Sequence, residues 1–259
     1  MKKILAVGVI CKDNINELRR TLLSISAQTE NADELIIVDG SKTSINKKSS
    51  NIEDIIKKLK EKKVSINYLI QKGDGIASAF NYVYQNSSSK YLLYLNSGDE
   101  FFSTETIKNI LPFLEENKSL YCFGSLICNP LKNSIKLAKP SKKIFDIYFK
   151  NPFPHPGVII EIKTLNKVGG FNDELKQCMD YELFIRLLLK YKIKPRIINL
   201  VVSIFYVGGT STNLSSLRKG MKRSWQLHNQ EKYYPNVFFR IMFNLRVILY
   251  SIIFNMKIF

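Results

Sequence analysis

Two aspartates in this sequence sit where a carboxylate could do chemistry. Asp99 follows the apolar run Tyr91-Leu92-Leu93-Tyr94-Leu95, and the intervening Asn96-Ser97-Gly98 is a sharp turn able to aim a carboxylate into a crevice above a sheet. A hard divalent cation that bridges two phosphates is held by one or two protein carboxylates plus phosphate oxygens. Asp180 heads a helical pattern that also carries Tyr181, Glu182 and Arg186. Both have a plainer reading: Ser-Gly-Asp is an ordinary turn, and an Asp at a helix start caps it or favours its dipole. Other chemistries lack their residues. The first strand is not followed by G-x-G-x-x-G, no G-x-x-x-x-G-K-[ST] occurs, and no G-x-S-x-G elbow is present. Gly73-Asp74-Gly75 is a turn, not a phosphate cradle. Cys11, Cys122, Cys128 and Cys178 form no C-x-x-C pair, and His155 and His228 are the sole histidines, so a structural zinc site is not supported.

The elements that must position these residues alternate. Apolar runs of strand length at Ile4 to Cys11, Leu35 to Asp39, Val64 to Gln71 and Tyr91 to Leu95 are separated by helical patterns. These run over Ile15 to Gln28, Ile52 to Glu61, Ile76 to Tyr84 and, after the last strand, Thr104 to Glu116. This rhythm predicts an α/β fold with a mostly parallel sheet flanked by helices, whose ligand sites lie at the carboxyl ends of the strands. Those ends are polar: Cys11-Lys12-Asp13-Asn14, Asp39-Gly40-Ser41-Lys42, Gln71-Lys72-Gly73-Asp74-Gly75 and Asn96-Ser97-Gly98-Asp99. Beyond about residue 120 the rhythm loosens. Leu120 to Ile127 leads into a Lys-rich, Pro-containing connection, then Val158 to Glu161 after the Pro-rich Asn151 to Pro156. Helical patterns at Lys163 to Val168 and Asp180 to Tyr191 and a last strand pattern at Arg196 to Val207 complete the domain.

The 259 residues are 45% hydrophobic, enough for a real core, which excludes intrinsic disorder and a small disulfide scaffold. A formal net charge of +17 points to an anionic partner: nucleic acid, an acidic membrane surface or phosphorylated substrates. The run Ile4 to Ile10 after Met1-Lys2-Lys3 is too short for a secretion signal and reads as a buried first strand. Cysteines spaced in this way suit thiols in a reduced cytosol, and the chain is expected to be intracellular.

The ordered set of a strand ending in Asp39, Asp74-Gly75-Ile76 with Asn81 in the next helix, Leu95 to Asp99, Gly169-Gly170-Phe171-Asn172, and Met179 to Leu183 through Arg186 resembles the family 2 glycosyltransferases with the GT-A fold. The likeness is closest to the branch that builds bacterial surface polysaccharides, and it covers residues 4 to about 212. It implies that Asp39 contacts the nucleoside of a nucleotide-sugar donor near Asp13, with a UDP-sugar favoured. It makes Asp99 the last acid of the family's D-x-D motif, binding Mn2+ or Mg2+, and Asp180 the base that deprotonates the acceptor hydroxyl. Asp74 and Asn81 become donor-side positions and Lys72 a reach toward a phosphate. His155, together with Glu182, is placed near the acceptor or pyrophosphate, against the alternative of a loop histidine with no catalytic role. Three positions depart from the family pattern: Ser97 replaces the first Asp of D-x-D, Met179 a common Glu, and Gly40-Ser41-Lys42-Thr43 lacks the usual second acid.

The expected organisation is a catalytic domain over 1–212 and an extension over 213–259. Residues 218 to 232 are basic around Trp225, and seventeen of the twenty-three residues from Val237 to Phe259 are apolar or aromatic. Arg246 in the middle makes a clean membrane span costly, so a helix in an anionic membrane interface is favoured over one packed on protein. The expectation is an inverting transferase, peripheral at the cytoplasmic face of the inner membrane, acting on a glycan or glycolipid acceptor and free to form a homo-oligomer. Two rivals stand beside it: a nonenzymatic assembly protein of the same fold and a nucleic-acid-binding protein. Nucleic acid is not the expected partner, because the basic residues form no single stripe interleaved with aromatics.

Overall fold

The computed structural model describes residues 3–42, 50–148 and 150–208, with Gly220, Arg223, Ile241 and Leu245 beyond them. Strand and helix alternate in the first half: β1 (Leu5–Cys11), α1 (Ile15–Ser26), β2 (Glu34–Asp39), α2 (Ser50–Glu61), β3 (Ser65–Ile70), α3 (Ile76–Gln85) and β4 (Tyr91–Tyr94). β1 pairs in parallel with β2 on one side and β4 on the other, and β2 with β3. The order β3-β2-β1-β4 therefore reverses direction at β1, and a crevice opens there above the carboxyl ends.

Period-two alternation sends the strand side chains to two buried layers. Leu5, Val7 and Val9 pack with α1, α2 and α4 (Thr106–Leu114). Ala6, Ile36 and Val38 face α3, α5 (Ile162–Val168) and α6 (Met179–Ile185). Because both faces are covered, β1 and β2 read as continuous apolar runs rather than as alternating ones. Gly8 lets α3 approach closely: a Cβ there would lie 2.5 Å from Val83 Cγ1.

The second half is not parallel. After the two-residue β5 (Glu100–Phe101) and α4 come β6 (Leu120–Asn129), β7 (Ser134–Ala138), β8 (Val158–Glu161) and β9 (Arg196–Tyr206). β8 runs antiparallel to β4, β6 antiparallel to β8, β9 parallel to β6, and β5 closes the far edge against β9. The Lys-rich connection is in fact a β-hairpin, with β7 antiparallel to the outer half of β6. The expected helix from Asp180 changes pitch: after Ile185 a π-helical turn spans Arg186–Lys190, with the Tyr191 N–H bonded to the Arg186 carbonyl at 3.0 Å. The expected interfacial helix of the 213–259 extension lies outside the described residues. Among the described residues no helix is long and apolar enough to cross a membrane.

Candidate active site

Parallel pairing brings the polar strand ends into one row. Cys11 is level with Asp39, and Asp39 with Ile70. Asp39 is buried, and its carboxylate accepts hydrogen bonds from the Ser41 N–H at 2.9 Å and the Tyr68 hydroxyl at 2.7 Å. Ser41 in turn receives the Asp13 N–H at 2.7 Å, with Asp13 held at φ +54. Burial, then the charge of Asp39, pushes the Cys11 thiol far up, so it stays protonated. Asp39 is thus placed as the brace of the crevice floor, with Asp13 exposed on its rim.

Lys72 and Asp74 stand exposed beyond β3. The Lys72 ammonium lies 5.9 Å from the centre of the Tyr82 ring. Asn81 does not point there. Its amide donates to the Phe171 carbonyl and to Asp173 Oδ1, both at 2.8 Å, and its oxygen accepts the Phe171 N–H at 2.8 Å. That clamp fixes the turn after α5, where Gly170 at φ +66 leaves no room for a Cβ beside Asn81 and Tyr84. Glu182 is also engaged elsewhere: its two oxygens receive the Arg186 guanidinium at 2.7 Å each. Arg186 reaches on to the Val168 and Gly170 carbonyls. The resemblance set these two residues at the donor and the acceptor; the structure uses them to lock α6 to the turn after α5.

Asp99 is set differently. Its turn hangs from α1: the Thr21 hydroxyl donates to the Asp99 carbonyl at 2.7 Å and accepts the Gly98 N–H at 3.0 Å, and Arg20 donates to the Gly98 carbonyl at 2.5 Å. Gly98 at φ +99 makes the turn. Asp99 is 4% exposed, and burial pushes its carboxyl up to about 8, against the pull of the Tyr206 backbone N–H and the Arg20 guanidinium. Asp99 Oδ2, Ser97 Oγ and Asn96 Oδ1 are all buried with no hydrogen-bond partner among the described residues. A native fold rarely leaves three such oxygens in four residues, and hard oxygen donors of this kind suit Mg2+ or Mn2+. Among the described residues no group of three or more His, Cys, Asp or Glu gathers for a metal. Three unpartnered oxygens in one turn have the donor chemistry of a divalent-cation site.

Across the crevice, a 3-10 turn over His155–Gly157 leads into β8, and the antiparallel pairing of β8 with β4 sets His155 beside Tyr94 at the end of β4. The imidazole stacks on Tyr94 at 5.6 Å and packs against Phe80 at 5.1 Å. Burial lowers its pKa while Asp180 pulls it up, and the net shift is downward, so the ring is neutral at neutral pH. Asp180, in the first turn of α6, is half-buried, and its Oδ2 accepts from the Asn151 amide at 2.7 Å. Burial and then Asp180 raise the neighbouring Cys178 thiol to about 12. All four cysteines are free thiols. The structure thus brings Asp99, His155 and Asp180 to the carboxyl edge. It adds supports that were not singled out from sequence: Thr21 and Arg20 under Asp99, Tyr68 under Asp39, and Asn151 on Asp180. Asn151 opens the Pro-rich run, which was a usable signal; Thr21 and Arg20 look like any residues of an amphipathic helix.

Known proteins resemble this chain in sequence and in fold. Residues 6–172 match the family model described as glycosyl transferase family 2. An Escherichia coli UDP-Gal:alpha-D-GlcNAc-diphosphoundecaprenol beta-1,3-galactosyltransferase is 25% identical over 188 residues, 70% of this chain and 66% of that protein. An uncharacterized glycosyltransferase of Rickettsia conorii is 34% identical over 192 residues, 70% of this chain and 30% of that one. The chain thus spans less than two thirds of the length of these relatives. Among solved structures, the mannosyltransferase PcManGT from Pyrobaculum calidifontis, in complex with GDP-Man and Mn2+, superposes with a TM-score of 0.65 at 11% identity, covering 89% of this chain and 65% of that one. S. aureus TarS 1-349 in complex with UDP-GlcNAc gives 0.61 at 16%, covering 86% and 65%. These likenesses show the fold, which is GT-A.

Proposed function

The chain belongs to glycosyl transferase family 2, and from that premise we propose that it moves a sugar, with inversion, from a nucleotide-diphosphate donor to a lipid-linked glycan acceptor. The observation that carries this reading is the Asp99 turn, a buried carboxylate with an unpartnered oxygen at the switch point of the parallel sheet. A UDP-sugar is the favoured donor, because the E. coli relative and the TarS complex both carry UDP in their names. The lipid-linked acceptor and the role in surface polysaccharide rest on the E. coli relative, whose named acceptor is a diphosphoundecaprenol.

Asp99, with Ser97 and Asn96, would hold the divalent cation. When bound, such a cation supplies charge neutralisation at the leaving diphosphate. The protein does the rest. Lys72 and Asp74 at the mouth of β3 flank the donor, and Asp39 with Tyr68 keeps the floor rigid. Asp180, held through Oδ2 by Asn151, takes the proton from the acceptor hydroxyl as that oxygen attacks the anomeric carbon. His155, wedged among Phe80, Tyr94 and Phe171, lines the wall near Asp180, and burial holds its imidazole below its ordinary pKa. Arg186, Glu182 and Asn81 are positioning residues that hold α6, and with it Asp180, against the turn after α5.

Thermal stability with UDP, GDP, CMP or ADP, each with Mn2+ or a chelator, tests the donor half, since a ligand of the native state alone raises stability by RT ln(1 + [L]/Kd). The expected result is a metal-dependent rise with UDP that disappears in Asp99→Ala. Asp180→Asn should keep that rise and lose turnover. No rise with any nucleotide, or full turnover in Asp180→Asn, would overturn the assignment.

A further inference from the structure

The β6–β7 hairpin has no part in the chemistry above, yet its surface is costly to expose. β6 is level with β4 only at its start: Leu120 and Leu92 share the partner Ile160, and Tyr121 and Leu93 share Ile159. The strand then continues to Asn129, past the edge where β4 ends. Its outer half is flanked by β7 and by β9, with Cys128 level with Tyr206, the residue whose backbone N–H bears on the Asp99 carboxylate. The hairpin therefore stands out from the sheet at the level of the Asp99 turn, on the same edge as the crevice.

Its side chains are of two kinds. Leu131 at the tip is 95% exposed, and Ile135 and Leu137 on β7 are 71% and 42% exposed. Ile135 and Leu137 lie two apart and pair across the strands with Cys128 and Leu126, making one apolar ladder that ends at Leu131. Around it lie Lys132, Lys139, Lys142 and Lys143, all exposed, while Lys136 sits on the opposite face of β7. Residues 129–145 contain no Asp or Glu, and Asp146 just beyond them is held by Ser141 and Lys150. Lysine on an edge strand discourages strand pairing, but that does not account for a leucine at the tip. Nucleic acid would match the lysines and leave the ladder in water.

We propose that this hairpin docks the protein on an anionic lipid bilayer, with Leu131, Ile135 and Leu137 entering the headgroup region and the lysines against the lipid phosphates. Apolar side chains flanked by a clear excess of cations are the complement of that surface. Docked this way, the crevice edge faces the membrane, where a lipid-linked acceptor presents its sugar. The proposal draws its purpose from the acceptor reading above, whereas the contact itself needs only the hairpin.

The test is flotation of the full chain with phosphatidylcholine vesicles, with and without phosphatidylglycerol. Two variants are compared: Leu131→Ser with Ile135→Ser, and Lys132→Gln with Lys139→Gln and Lys142→Gln. All five side chains are exposed, so the fold should survive, and UDP-dependent thermal stabilisation checks it. The serine pair should lower binding roughly tenfold. The glutamine triple should lower it about a hundredfold on anionic vesicles only, at about fivefold per basic residue. Binding undiminished in both variants overturns the proposal and moves the contact elsewhere in the chain. So does a wild type that stays off anionic vesicles, and so does a serine pair that changes the mass in sedimentation but not flotation, which would make the ladder a contact between copies. Flotation that behaves as expected in a protein that no nucleotide stabilises would sink the donor assignment and leave the docking surface standing.

Discussion

Glu34 and Asp99 are both buried carboxylates, 1% and 4% exposed, at opposite ends of the same sheet, and they have opposite fates. At the amino end, Glu34 receives the Lys3 ammonium at 2.9 Å, the hydroxyls of Ser87, Ser88 and Ser89, and the N–H groups of Ser88 and Ser89. Burial alone would raise its pKa, but these hydrogen bonds outweigh burial and bring it down to about 2. At the carboxyl end, Asp99 has one pull from a backbone N–H and one from Arg20, keeps Oδ2 unpartnered, and rises to about 8. A carboxylate whose lone pairs are all used ties chain segments together; one left unsatisfied is completed by something that binds.

The largest expected effect separates the two. Asp99→Asn should cut turnover by roughly a thousandfold, the scale at which losing a charge-stabilising group is felt, while the melting temperature holds or rises because an unsatisfied buried acid is removed. A chain that keeps its turnover would break the comparison at once. Glu34→Ala should do the reverse: a loss of about 3 kcal/mol from stranding buried donors, read as a melting point lower by roughly 6–12 °C, with metal-dependent nucleotide affinity unchanged in the folded protein.

Proton linkage gives a finer test. Asp99 ionises only above about 8 in the fold and near 4 when unfolded, so between these values the native state holds the extra proton and stability falls as pH rises. Mn2+ binds the ionised form, so its affinity with UDP should climb up to about tenfold per pH unit below 8, and the slope should vanish in Asp99→Asn. Glu34 has the opposite sign. Its folded value lies below its unfolded one, so its contribution is present above about 4.5 and is lost as pH falls through about 2. Acid unfolding of Glu34→Gln monitored by circular dichroism should lack that component. The smallest effect belongs to Lys3→Met, about 1 kcal/mol or less for a partly exposed partner, because three serines continue to hold Glu34.

Glu34 also shows where reading from sequence stops. Nothing around Leu35 to Asp39 separates Glu34 from any surface acid, because its partners at Lys3 and Ser87 to Ser89 come from distant points of the chain. Asp99 is visible in the sequence as a turn residue after a buried strand, a pattern that also suits an ordinary turn; its unpartnered Oδ2 is seen only in the structure. Asp39 is visible in the sequence as a polar strand end, but its Tyr68 and Ser41 bonds, which engage both oxygens, are not. For Asn81 and Glu182 the resemblance implies contacts with donor and acceptor, and the sequence does not show the contacts they make within the fold. Each has its hydrogen-bonding capacity taken up by Phe171, Asp173 or Arg186.

By itself the sequence determined the alternation of strand and helix, the polar strand ends and the two acids, because periodicity and turn chemistry are local and need no partner. Tertiary structure decided the mixed, largely antiparallel second half of the sheet and the hairpin beyond its edge. It also decided which carboxylates are satisfied and which keep an unpartnered oxygen. Satisfaction is a property of hydrogen-bond geometry between segments far apart in the chain, and one sequence records the donors and acceptors without recording which of them meet.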